Sequence, residues 1–200
     1  MLDTFLLYLR LGLGHITDLA GYDHILFVLA LCATYQPAHW RRVALLVTAF
    51  TVGHTITLAL ATLGAVTVRS AQVEFLIPVT IVATAVGNIV ALRGDEGGRD
   101  AHPRVSVTRY AITVAFGCIH GLGFSSYLRA LLGAEESLAV PLLAFNVGLE
   151  IGQLAIVTIG LLVGWLCTRI PGVTARRWAL ALSVSIGALG SWLAWQRSIL

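Results

Sequence analysis

The stretch GHITDLAGYDHILFVLALCATY, Gly14 to Tyr35, decides the fold. Its unbroken apolar part, Ile25 to Ala33, is far shorter than the roughly 20 residues an α-helix needs to cross a bilayer core. A crossing here must recruit residues upstream, which draws Asp23 and His24 into the apolar layer. An ionisable side chain at that depth costs roughly 2.5–3.5 kcal/mol on insertion scales, so each one calls for a partner or a purpose. If Asp18 to His24 is helical, Asp23 and His24 lie about 100° apart around the axis. They cannot point along one line, yet both can border one cavity. His15 stands behind the break at Gly12 and Gly14, where a re-entrant turn would fold it back toward the same place.

Outward from this stretch the chain is of one kind. Of its 200 residues 58% are hydrophobic and only 12% charged, and the mean hydropathy is +0.86. That balance excludes intrinsic disorder and does not suit a water-soluble domain. The expectation is an all-α, polytopic membrane helix bundle, with residues 1–200 forming one integral domain in the lipid bilayer. Six spans are predicted, near Asp18 to Tyr35, Arg42 to Leu63, Val73 to Leu92, Arg109 to Leu132, Leu138 to Cys167 and Arg177 to Trp195. Ahead of them, Leu2 to Leu13 is too short to span and lacks both a positive n-region and an A-x-A cleavage site. It reads as a short interfacial or re-entrant helix.

All thirteen basic residues are arginine. Arg41, Arg42, Arg93, Arg99, Arg104, Arg109, Arg169, Arg176 and Arg177 fall on one side of the predicted spans, and Arg10, Arg69, Arg129 and Arg197 on the other. The positive-inside rule then places both termini outside the cytoplasm, as in a bacterial inner-membrane protein. The net charge of +3 is carried by no basic block, which argues against nucleic acid as a partner. The hydrophilic connection at about 93–109, containing GDEGGRD, is expected to be a mobile cytoplasmic loop. Cys32, Cys118 and Cys167 lack the pairing of a thiolate site and read as small core residues. Small-residue ridges at Gly117/Gly121, Gly148/Gly152, Gly160/Gly164 and Ser183/Gly187/Ser191 predict close helix packing, and could also serve a homo-oligomer.

The other polar groups lie inside apolar runs. TAFTVGHTITLAL sets Thr48, Thr51 and Thr55 in a polar stripe with His54. The third span carries Thr80, Thr84 and Asn88 at helical spacing, a pattern suited to packing and backbone hydrogen bonds. FGCIHGLGFSS sets His120 among glycines that let another helix, or an ion, approach the imidazole. FNVGLEIGQ stacks Asn146, Glu150 and Gln153 on one face. Imidazoles and carboxylates together suit a borderline divalent cation such as nickel, cobalt, zinc or iron, and the lack of positioned thiolates argues against Cu(I). The candidate metal ligands are His15, Asp23, His24, His54, His120 and Glu150. Asp18, Thr51, Asn146 and Gln153 are candidates for positioning ligands or lining the path. His39 and His102 fall in loops, with no role expected.

At these residues the sequence resembles the HupE/UreJ family of membrane proteins, described as nickel or cobalt permeases associated with hydrogenase and urease. The resemblance covers nearly the whole chain through GHITDLAGYDHILFVLAL, FTVGHTITLALA, FGCIHGLGFSSYL and FNVGLEIGQL, in that order. The better-studied branch has a histidine, five residues and then Asp-His, together with a Phe-His-Gly segment. Here seven residues separate His15 from Asp23 and His24, and Ile119 precedes His120 and Gly121, so the chain looks like a second branch. The resemblance implies ion-site roles for Asp23, His24 and His120. His54 and Glu150 rest on the residues alone.

The expected activity is secondary transport of a divalent first-row ion, most simply nickel or cobalt, with the ion as substrate. No GxxxxGK[ST] loop is present, so energy must come from a gradient or a separate subunit. Acidification should protonate the histidines, whose unperturbed pKa is about 6.5, and weaken binding. The alternative is an intramembrane zinc hydrolase acting on a lipid amide or ester, since three histidines and an aspartate around zinc leave one position for water. A third reading, haem held by His54 and His120, would show a Soret band.

Overall fold

A computed structural model describes residues 1–94, 106–132 and 137–198. All regular structure among them is helical: α1 Leu2–Thr17, α2 Asp23–Cys32, a 3-10 turn Pro37–His39, α3 Trp40–Thr62, α4 Ser70–Gly94, α5 Val107–Leu132, α6 Ala139–Cys167 and α7 Ala175–Ser198. The last five are long and apolar enough to cross a membrane. In hydrocarbon every backbone amide must be bonded within its own segment, which selects helices for such runs. Most of the predicted connection at 93–109, with Arg99, His102 and Arg104, lies outside the described residues.

The predicted first span, Asp18 to Tyr35, is not one helix. The Asp18 carboxylate accepts the Ala20 amide proton at 2.8 Å, and Asp18 itself is extended at φ −64°, ψ 117°. This local Asx turn competes with helix propagation and ends α1. The chain becomes helical again only at Asp23. Upstream, the stretch expected to end near Leu13 is helical through Thr17.

Helix directions follow from which residues meet. Leu9 lies beside Gly148, Ile16 beside Gly152, and Leu29 and Cys32 beside Gly160. So α1 and α2 follow one another along α6 in the same sense, with no reversal between them and hence no re-entrant hairpin. Phe50 faces Gly117 and Thr57 faces Gly121, making α3 and α5 parallel. Thr55 reaches Asn146 while Thr48 reaches Glu150, so α3 opposes α6. Thr80 meets His120, and Asn88 meets Arg109, so α4 opposes α5; Gly190 beside Ile81 and Arg197 beside Glu74 make α7 oppose α4. Thus α1, α2, α4 and α6 point one way and α3, α5 and α7 the other, which brings the two ends of the chain to the same end of the bundle.

Two glycine crossings set how close the helices come. A Cβ on Gly12 would strike the Phe145 carbonyl oxygen, and one on Gly148 the Leu9 carbonyl; Gly53 and Gly117 stand likewise against the carbonyls of Val114 and Phe50. In lipid, such approach gives the van der Waals contact that replaces hydrophobic drive between helices. The other small-residue ridges are also filled from within the chain, Gly160 by Leu29 and Gly164 by Trp178. At those glycines the ridges serve packing within the chain. Bulky residues such as Leu45, Val52, Ile56, Leu60, Ile159 and Leu162 point outward, as lipid-facing side chains do, while Phe27, Phe50 and Phe145 fill the centre.

Candidate metal centre

The break between α1 and α2 places two histidines at one point. His15 comes from the last turn of α1 and His24 from the first turn of α2, with ring centroids 4.6 Å apart. His54 of α3 is 6.2 Å from His15 and 6.3 Å from His24, and His120 of α5 is 4.9 Å from His24. One ring nitrogen from each of His15, His24 and His54 lies within 4.8 Å of the others. The same glycine crossing that seats α3 against α5 brings His54 and His120 to a common depth. Phenylalanines wall the cluster: Phe124 is 4.0 Å from His15, Phe50 is 5.0 Å and Phe27 5.1 Å from His120, and Phe145 stacks on His54 at 6.3 Å.

His15 Nε2, His24 Nε2, both nitrogens of His54 and Nδ1 of His120 are buried without a hydrogen bond, five imidazole atoms in one place. Asn146 lies beside His54 but outside hydrogen-bonding geometry. A buried polar atom left unpaired costs about 1–3 kcal/mol, and native interiors hold few of them. Imidazole nitrogens gathered among phenylalanine rings are a donor set for a borderline divalent ion.

The protonation of His120 follows from its neighbour. Thr80 gives its single hydroxyl proton to the Ile77 carbonyl at 2.7 Å, so its oxygen can only accept from His120 Nε2, 2.9 Å away. In that arrangement Nε2 carries the proton and Nδ1, which has no hydrogen-bond partner, keeps the lone pair. Thr80, expected to serve packing and backbone hydrogen bonding, bonds the Ile77 carbonyl and also meets His120.

The acids are arranged otherwise. Asp23 turns from the histidines to pair with Arg197 at 2.8 Å. Arg197 also donates to the Glu74 carbonyl at 3.1 Å. Pro78 lies inside α4 and has no amide proton, so Glu74, four residues back, keeps a free carbonyl that the guanidinium takes. A proline inside an apolar run, which frees the carbonyl four residues before it, was the available sequence signal for this anchor. Glu150 bonds Thr48 at 2.6 Å and Thr51, which also bonds Gln153 at 2.8 Å; Asn146 accepts from Thr55 at 2.7 Å. Asp18 is exposed and spent on its turn. The fold therefore gathers His15, His24, His54 and His120, keeps Asp23 at their edge, and sets Glu150, Thr51 and Gln153 in a separate network.

A family profile described as HupE / UreJ protein matches residues 1–197. The chain belongs to the HupE/UreJ family. No curated protein and no solved structure matches it. Family and five long apolar helices together make this HupE/UreJ chain an integral membrane protein, in a family tied to metal-ion handling. A double-mutant cycle on Asp23→Asn and Arg197→Gln in this HupE/UreJ protein, read by thermal unfolding in detergent, is expected to give a coupling of roughly 0.5–3 kcal/mol. Simple additivity of the two would show the ion pair to be idle.

Proposed function

We propose that the protein is a permease for a divalent first-row transition metal, nickel or cobalt, held in transit by His15, His24, His54 and His120. The observation that carries this is a set of four imidazoles brought together from four helices, each with a buried ring nitrogen that has no hydrogen-bond partner. Nitrogens around a tetrahedral ion with bonds of about 2.0–2.1 Å stand about 3.3 Å apart, so modest ring rotations would close the set. Neutral imidazoles alone do not cancel a double charge. An ion there is held firmly enough to enter and loosely enough to leave, which suits passage better than storage. Discontinuous helices whose ends meet at an ion site are a recurring transporter device, and the α1–α2 break is built that way.

The ion enters from the end that carries both termini, past Asp23, and leaves toward the arginine-rich end. A cavity of about 340 Å³ bordered by Leu31 of α2, Thr84 and Asn88 of α4, and Arg109, Thr113 and Phe116 of α5 lies toward that side. We place the protein in a bacterial inner membrane with both termini extracytoplasmic.

The test is metal flux. Proteoliposomes loaded with a fluorescent nickel-sensitive dye should quench on external Ni²⁺, and His120→Ala should lower the rate at least tenfold. Equal quenching in dye-loaded vesicles with and without the protein, or turnover of a lipid amide by the same preparation, would replace the permease with a leak or a hydrolase. Arg197→Gln is expected to raise nickel affinity on the order of tenfold, because it removes a positive charge near the ion and frees Asp23 beside His24. Unchanged affinity on isothermal titration would place Asp23 outside the ion's reach.

A further inference from the structure

Glu150 has no cationic partner among the described residues; the ion pair found there is Asp23 with Arg197. It lies near the middle of α6, half-buried, against Thr48 and Thr51 near the middle of α3. An ionised carboxylate at that depth is costly unless a positive charge offsets it. What surrounds it is oxygen. The single hydroxyl proton of Thr51 faces three acceptors, the Val47 carbonyl, Glu150 and Gln153 Oε1, and Thr48 brings a second hydroxyl at 2.6 Å. Gln153 is fully buried and its Nε2 has no partner. Reversing the amide would orphan the oxygen instead, so in either orientation one end of this buried side chain is unpaired.

One carboxylate among neutral oxygens carries a single negative charge, which one monovalent cation cancels. An all-oxygen shell selects hard ions as the imidazoles select borderline ones. We propose that Glu150, Thr48, Thr51 and Gln153 form a sodium site between α3 and α6, separate from the histidine cluster. A proton would need only the carboxylate and one hydroxyl, whereas here two hydroxyls and an amide join it. Thr48 is exposed on the same helix face as Leu45 and Val52, so this site lies at the periphery of the bundle, apart from the imidazoles. Thr51 lies about one helical turn from His54 on α3, and Glu150 one turn from Asn146 on α6. Sodium binding is thereby linked to the depth and tilt of His54. That link rests on the permease reading, but the binding itself does not.

The experiment is thermal unfolding of the purified full chain in detergent at fixed pH and ionic strength, with NaCl, KCl or choline chloride. Wild type should gain roughly 5–10 °C at sodium concentrations 100 times the Kd, and Glu150→Gln and Thr51→Val should lose that gain. A sodium response retained in both variants would overturn the site. Equal midpoints in all three salts would also overturn it, and that wild-type series decides the matter even if the variants fail to fold. A second wild-type series at several pH values, in which the midpoint follows pH but not sodium, would overturn it in favour of a proton. Nickel titration of the same samples keeps the two readings apart: a sodium response without nickel binding leaves this site standing and removes the permease.

Discussion

Protein carrying His24→Ala is expected to lose nickel affinity by at least about 100-fold while remaining folded. Removing even an outer partner of a metal ligand typically costs 10- to 100-fold, and His24 is more central than that. Its ring lies 4.6 Å from His15, 6.3 Å from His54 and 4.9 Å from His120, so it touches every other member of the cluster. The substitution also removes an unpaired buried nitrogen, which offsets part of the packing loss. Isothermal titration with nickel and a detergent melting curve separate the two effects. A variant that binds nickel as wild type does would remove the cluster from the mechanism. One that merely unfolds would be read through His54→Gln, which retains bulk and polarity and carries no imidazole.

The second large effect is steric. Gly117→Ala sets a Cβ against the Phe50 carbonyl oxygen, a backbone atom that no side-chain rotation can move. Helices α3 and α5 must separate, at a cost of about 3 kcal/mol or more. In a chain of this length that lowers the melting temperature by roughly 6–12 °C. Because α3 carries His54 and α5 carries His120, nickel affinity should fall with stability. Gly14→Ala is the control, since nothing lies within 4 Å of the added carbon. Equal melting of the two variants would show that the α3–α5 crossing is not the close contact described.

Much of the helix inventory was legible. The predicted runs Arg42 to Leu63 and Leu138 to Cys167 differ from α3 and α6 by two residues or fewer at each end, because long apolar segments have one solution in lipid. The first run was not legible in the same way. A hydropathy reading averages across Asp18 to Tyr22 and joins what the Asx turn divides. In the site, the histidines stood out because imidazoles are rare in apolar runs. The assignment of acids did not. Asp23 adjoins His24 in sequence, yet α2 turns it toward Arg197, which lies 174 positions away.

By itself the sequence determined that the chain lies in lipid as helices and that a few polar groups sit within its apolar runs. Both follow from quantities local to a segment: apolar length, and backbone hydrogen bonds closed within one helix. Only the tertiary structure decided that four imidazoles come together, that Asp23 is tied to Arg197, and that Glu150 keeps company with hydroxyls. Those outcomes depend on the relative depth and rotation of neighbouring helices. Glycine-to-carbonyl contacts such as Gly53 on Val114 and Gly148 on Leu9 set both, and neither helix of a pair encodes its partner's register alone.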